Sequence, residues 1–222
     1  MTTTAASPSH SPTSIRVLLN ITWPQLMMML FQMLIGFTDV FVAGRIAGDV
    51  QAALGIITEC MFVFMVLGMA VANAGVATIS QYLGARLRKR AQRYVGLLFS
   101  LGMAMCLVIV AATLLWREPF LDLLRVPAQI RPITSYFLTI FSFLLPAQYL
   151  LVISNAVFRA HKLLLIPLMC NMVICLLNGV ADFGFGLGYW GLPNYGYQGV
   201  AWATFISVSA GMIFNMCFIF RK

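Results

Sequence analysis

Three carboxylates interrupt the long apolar runs of this chain: Asp39, Glu59 and Asp182. A bare carboxylate is costly in hydrocarbon, so an acid in such a run is by default a functional candidate. The bland alternative is that each lies near a helix end and reaches headgroup water. Asn178 precedes Asp182 by four residues, which puts its amide and the carboxylate on one helical face. Two carboxylates, an amide and a hydroxyl such as that of Thr204 are oxygen ligands of the kind that hold a small hard cation. Like charges brought close together favour uptake of a shared cation, a proton included.

Composition sets the medium in which this chemistry must work. Of 222 residues, 61% are hydrophobic and only 9% charged, where a soluble domain carries about a quarter charged residues. A water-soluble core of this size cannot absorb so much apolar sequence, so the chain reads as an all-α polytopic membrane protein. A helical span needs about 20 apolar residues. The sequence holds six such segments, at about 17–43, 52–82, 94–116, 132–158, 163–187 and 199–220. Residues 15–222 form the transmembrane unit. Residues 1–14, rich in Ser, Thr and Pro, read as a disordered tail. The run that follows is too long and too polar, with Gln25, Gln32 and Asp39, for a signal peptide.

The net charge of +8 has a topological reading. Ten of the fourteen basic residues fall at the N-terminus, in the two–three and four–five loops and at the C-terminus, half of them in the run from Arg86 to Arg93. That bias predicts that both termini are cytoplasmic, and no nucleic-acid partner is expected. The segment 117–131 mixes both charge signs and is expected to form a short interfacial helix. With this orientation, Asp39 and Asp182 lie a few residues from the outer ends of their helices, and Thr204 lies close to the outer start of its own. The four residues Asp39, Asn178, Asp182 and Thr204 therefore share one level in the outer half, where helix rotation decides whether they meet.

The remaining polar residues are weaker candidates. Gln32 shares the face of Asp39 seven residues deeper, where it lines a cavity or bonds a neighbouring helix. Glu59 has no partner that the sequence identifies. Asn155, like Asn73, Gln148 and Asn171, reads first as interhelical glue, with cavity lining as the alternative. The five cysteines all fall in apolar segments without metal-binding spacing and read as small buried side chains. No resident cofactor is expected.

Several stretches resemble the multidrug and toxic compound extrusion (MATE) transporters, specifically the N-terminal half of the bacterial NorM/DinF-like kind. They are the run from Pro24 to Gly48 with Asp39 before FVAGRIAG, ISQYLGA from Ile79, NGVAD from Asn178 to Asp182, and GVAWATFIS from Gly199. Their order and spacing, over about residues 15 to 222, carry the resemblance. It implies one six-helix lobe of a two-lobe transporter in the bacterial inner membrane, exporting small and often cationic organic molecules in exchange for Na⁺ or H⁺. It also implies a coupling-cation site at Asp39, Asn178, Asp182 and Thr204, with Val200 contributing its backbone. The second lobe is expected either as the rest of a longer chain, of which this is a piece, or as a second copy.

Other functions fit the sequence less well. A flippase for lipid-linked oligosaccharides would carry basic residues in its cavity, whereas here they lie in loops. A non-transporting membrane subunit is the reading that remains if the chain acts alone. An enzyme is not expected, because the chain has no HExxH, no GxSxG and no nucleophile paired with a base.

Overall fold

The computed structural model describes the backbone of residues 15–220. The expected disordered tail at 1–14 lies outside the described residues. Seven α-helices follow in order: α1 (Ile15–Ile46), α2 (Gly48–Gly84), α3 (Arg88–Leu115), α4 (Arg117–Leu123), α5 (Arg131–Ala160), α6 (Leu165–Ala181) and α7 (Tyr197–Phe220). Among the described residues six helical segments are long and apolar enough to cross a membrane: α1, α2, α3, α5 and α7, and α6 together with the turn that continues it to Gly186. The chain is thus an all-α, multi-pass membrane protein. Helices suit hydrocarbon because they satisfy every backbone group internally. The side-chain hydroxyls follow the same logic. Thr58, Thr113, Thr134 and Ser142 each donate to the carbonyl four residues back.

Helix boundaries differ from the sequence expectation at three places. The gap expected between the first two spans, 44–51, shrinks to one extended residue, Ala47 (φ −168°, ψ 152°), because Gly44 to Ile46 stay helical and α2 starts at Gly48. The basic run is divided. Arg86 takes the left-handed turn position (φ 61°), and α3 already starts at Arg88. The fifth span does not run on as α-helix to residue 187. It passes at Asp182 into a π-helical turn, Asp182–Gly186, followed by a short 3₁₀ turn, Tyr189–Gly191.

Helix α5 is the hub. It packs against α2, α3 and α7, while α7 packs on α6 and α6 on α1. Half of the apolar stretch of α5 is buried, against 11% for α1, which is therefore the peripheral helix. Two polar ties fix the hub in place. The Tyr149 hydroxyl donates to the Phe64 carbonyl of α2 at 2.7 Å, with its ring seated on Gly68. The Asn215 amide of α7 donates to Ser154 Oγ at 3.0 Å and to Asn155 Oδ1 at 2.7 Å. At the far end of α5, Arg131 bonds Asp122 at 2.6 Å and Glu118 at 2.9 Å, pinning α4 to the bundle.

Candidate cation site

Asp39 lies in the second half of α1, and Asp182 begins the π turn that ends the fifth span. The packing of α1 on α6 brings their carboxylates face to face, with the Asn178 amide beside Asp39. Asn178 and Asp182 are completely buried and Asp39 is half-buried. Through the atoms that face inward, none of them bonds a residue outside the trio. Asp39 Oδ1, both amide heteroatoms of Asn178 and both carboxylate oxygens of Asp182 are buried without such a partner. Buried polar atoms are normally satisfied, so five of them gathered without an outside partner make this cluster the candidate site.

No cationic side chain compensates the pair. Among the described residues, ion pairs are confined to Arg117, Glu118, Asp122 and Arg131. Nor does any group of three or more His, Cys, Asp or Glu form there. A cation between Asp39 and Asp182 would therefore be held by two carboxylates and neutral oxygens. That donor set suits Na⁺ or H⁺ better than a transition metal.

The irregular backbone has a local cause. The N–H of Asp182 is shared between the carbonyls of Asn178 and Gly179, where the helix changes its winding. Gly184 and Gly186 follow, both buried. A Cβ on Gly186 would stand 2.8 Å from Val42 Cγ1 and 3.3 Å from Val200 Cγ2. The first turn of α7 comes closer still, with Gly199 lying directly against the Phe185 carbonyl. Helix α1, the π turn and α7 thus meet at one junction beside the carboxylates. Irregular turns of this kind are frequent at functional sites.

The sequence-derived site residues fall into two groups. Asp39, Asn178 and Asp182 are brought together. Val200 stands at the junction, and its carbonyl accepts the Thr204 hydroxyl at 3.1 Å, while no hydrogen bond joins Thr204 to either carboxylate. The others lie elsewhere. Gln32 and Glu59 are exposed on α1 and α2, and Asn155 is tied to Asn215. Gly186 and Gly199, which let the three elements close, were not singled out in the sequence.

Residues 24–183 match the MatE family. The chain belongs to this family. Among curated relatives, it is 24% identical over 196 residues to the "uncharacterized transporter YisQ" of Bacillus subtilis, covering 88% of this chain and 43% of that protein. It is likewise 24% identical over 221 residues to the "probable multidrug resistance protein NorM" of Rhizobium meliloti, covering 98% of this chain and 46% of that protein. The chain thus spans about half the length of the curated relatives it matches. The MATE transporter VcmN of Vibrio cholerae, solved as a mutant, superposes with a TM-score of 0.84 at 24% identity, over 92% of this chain and 46% of its own. A MATE family transporter of the MOP superfamily, solved in an outward-facing conformation, gives 0.84 at 16% identity over 91% and 44%. At these identities the likeness establishes the fold: six helices arranged as in about half of a MATE transporter.

Proposed function

We propose that this six-helix unit is the N-terminal lobe of an efflux antiporter of the bacterial inner membrane, with both termini cytoplasmic. It would exchange Na⁺ or H⁺ for small, often cationic organic molecules. The observation that carries the reading is the facing pair of half-buried Asp39 and fully buried Asp182, which form no ion pair among the described residues. Similarity to the probable multidrug resistance protein NorM of Rhizobium meliloti supports the substrate class.

The mechanism follows from electrostatics. With both carboxylates charged, α1 and the π turn repel each other across an apolar contact. A cation or proton entering between them removes the repulsion and favours close packing of α1 on α6. Cation occupancy therefore shifts the balance between two arrangements of the peripheral helix, and only a cation that binds them unequally can do so. Because α1 is barely buried in its own lobe, its rearrangement costs little packing. A second six-helix unit, whether the rest of a longer chain or another copy, would supply the opposite wall of the substrate cavity.

The test is dye efflux in the full-length protein, reconstituted in liposomes under an imposed Na⁺ or H⁺ gradient. Asp39→Asn and Asp182→Asn should each abolish gradient-driven efflux while leaving membrane insertion intact. Wild-type rates in either variant would overturn the proposal.

A further inference from the structure

The opposite end of the bundle holds a second polar feature, which the transport reading does not use. Trp23 on α1 lies sixteen residues before Asp39, or about 24 Å along the helix axis. There a cavity of about 610 Å³ opens where α1, the end of α2 and the α5–α6 turn meet. Its walls are largely apolar, with Trp23, Pro24, Val76 and Leu165 beside Gln25, and two cations, Arg159 and Lys162, line it.

Arg159 is not satisfied by the protein. Its Nε is buried without a hydrogen-bond partner, and Nη2 makes only a long contact of 3.4 Å to Asn73 Oδ1. No carboxylate pairs with it among the described residues. Arg159 is half-buried, and a guanidinium this poorly matched by the protein gains from a charge-assisted bond between its accessible N–H groups and an anion in the cavity. Lys162 occupies a left-handed turn position (φ 58°), with its N–H bonded to the Arg159 carbonyl at 3.0 Å, which holds the two cationic residues in one tight turn. The same cavity reaches the start of α6, a helix with no side-chain cap. The free N–H groups of such a terminus carry partial positive charge and bind phosphate. Part of this charge answers the C-terminal carbonyls of α5, but two full cations and a helix N-terminus exceed what those carbonyls require.

We propose that this cavity binds the phosphate of an anionic phospholipid headgroup, with Arg159 and Lys162 as its ligands. The chemistry toward the anion is that of any phosphate. The apolar walls at a membrane boundary are what favour a lipid over a free ion, since they accept the glycerol and first acyl carbons. Basic pockets between transmembrane helices are suited to such headgroups. The inference is independent of the carboxylate pair, and it holds whether or not that pair couples transport.

Native mass spectrometry of the protein in neutral detergent tests it, with phosphatidylglycerol, phosphatidylcholine and inorganic phosphate as probes. Phosphatidylglycerol should bind more tightly than phosphatidylcholine. Arg159→Gln and Lys162→Gln should each weaken phosphatidylglycerol binding by roughly fivefold, as loss of one interfacial charge implies. Val76→Trp, which narrows the cavity and leaves the charge intact, should weaken it as well. Arg90→Gln, in the basic run beside a different cavity, should leave it unchanged. If Arg159→Gln fails to fold, Lys162→Gln and Val76→Trp decide the matter. The proposal is overturned if the two lipids bind equally, or if neither Lys162→Gln nor Val76→Trp affects phosphatidylglycerol. It is also overturned if millimolar inorganic phosphate displaces the lipid fully, which would make the site one for free phosphate.

Discussion

Asp39 on α1 and Asp182 on the π turn face each other, and among the described residues neither forms an ion pair. A cation bound there stabilises the fold by mass action, in proportion to RT ln(1 + [L]/Kd). Asp182→Asn keeps the shape and removes one charge, so it relieves the repulsion and abolishes the binding. We expect the variant to unfold at a temperature equal to or above that of wild type without added Na⁺, and to gain nothing from Na⁺ or from a change in pH that stabilises wild type. Thermal unfolding in NaCl against choline chloride, repeated across pH, measures this. A variant that retains the wild-type ion response would show that the pair is not the site.

Much of this arrangement was legible in the sequence, and the reasons are physical. An acid in an apolar run stands out because hydrocarbon makes it costly. The four-residue step from Asn178 to Asp182 fixes a shared face. Rotation was not legible, because the apolar residues of a membrane helix face lipid and core alike and leave no stripe to read. That is why Asn155 could be placed on a span but its partner Asn215 could not be named. The π turn was hidden for a related reason. One extra residue per turn does not change composition, so the fifth span read as continuous to 187, although Gly184 and Gly186 break it just after Asp182. Likewise, the first two spans read as separated by residues 44–51, where the backbone uses only the single residue Ala47.

Gly199 is the residue whose side chain the junction cannot accept. A Cβ there would overlap the Phe185 carbonyl, which is backbone and cannot rotate away. Gly199→Ala should therefore cost about 1–3 kcal/mol, as overpacking does, and should loosen the π turn next to Asp182. The control is Gly36→Ala on α1, where nothing lies within 4 Å. There a helical alanine should be neutral or stabilising by up to about 1 kcal/mol. Unfolding temperatures of the two variants, compared in the same detergent, give the answer. Equal values would remove the argument for close approach.

Tyr149 links the hub to α2 through a single buried hydroxyl, 2.7 Å from the Phe64 carbonyl. Tyr149→Phe keeps the ring against Gly68 and deletes only the donor. The expected loss is about 1 kcal/mol, the net worth of such a bond. Tyr149→Ala also empties the core and should lose roughly 3–5 kcal/mol. Denaturant titration of both variants separates the two contributions. If Tyr149→Phe and Tyr149→Ala lost the same amount, the bond rather than the packing would hold the hub.

Arg131 holds α4 by bridging Glu118 and Asp122, and this clamp should be sensitive to acid. The hydrogen bond from Arg131, followed by its charge and that of Arg117, keeps the Glu118 carboxyl below its ordinary value of 4.5. A carboxylate whose folded value is depressed contributes stability that is present above the unfolded value and lost as pH falls through the folded one. The docking of α4 should therefore be intact at neutral pH and weaken as pH falls below about 4.5. Both acids are exposed, so added salt should weaken the clamp as well. Hydrogen exchange across 117–123, corrected for the intrinsic pH dependence, reports the opening of α4 directly. In Arg131→Gln the same amides should exchange faster already at neutral pH and show no further change on acidification. Protection that falls with pH as steeply in Arg131→Gln as in wild type would mean that contacts other than these ion pairs hold α4 in place.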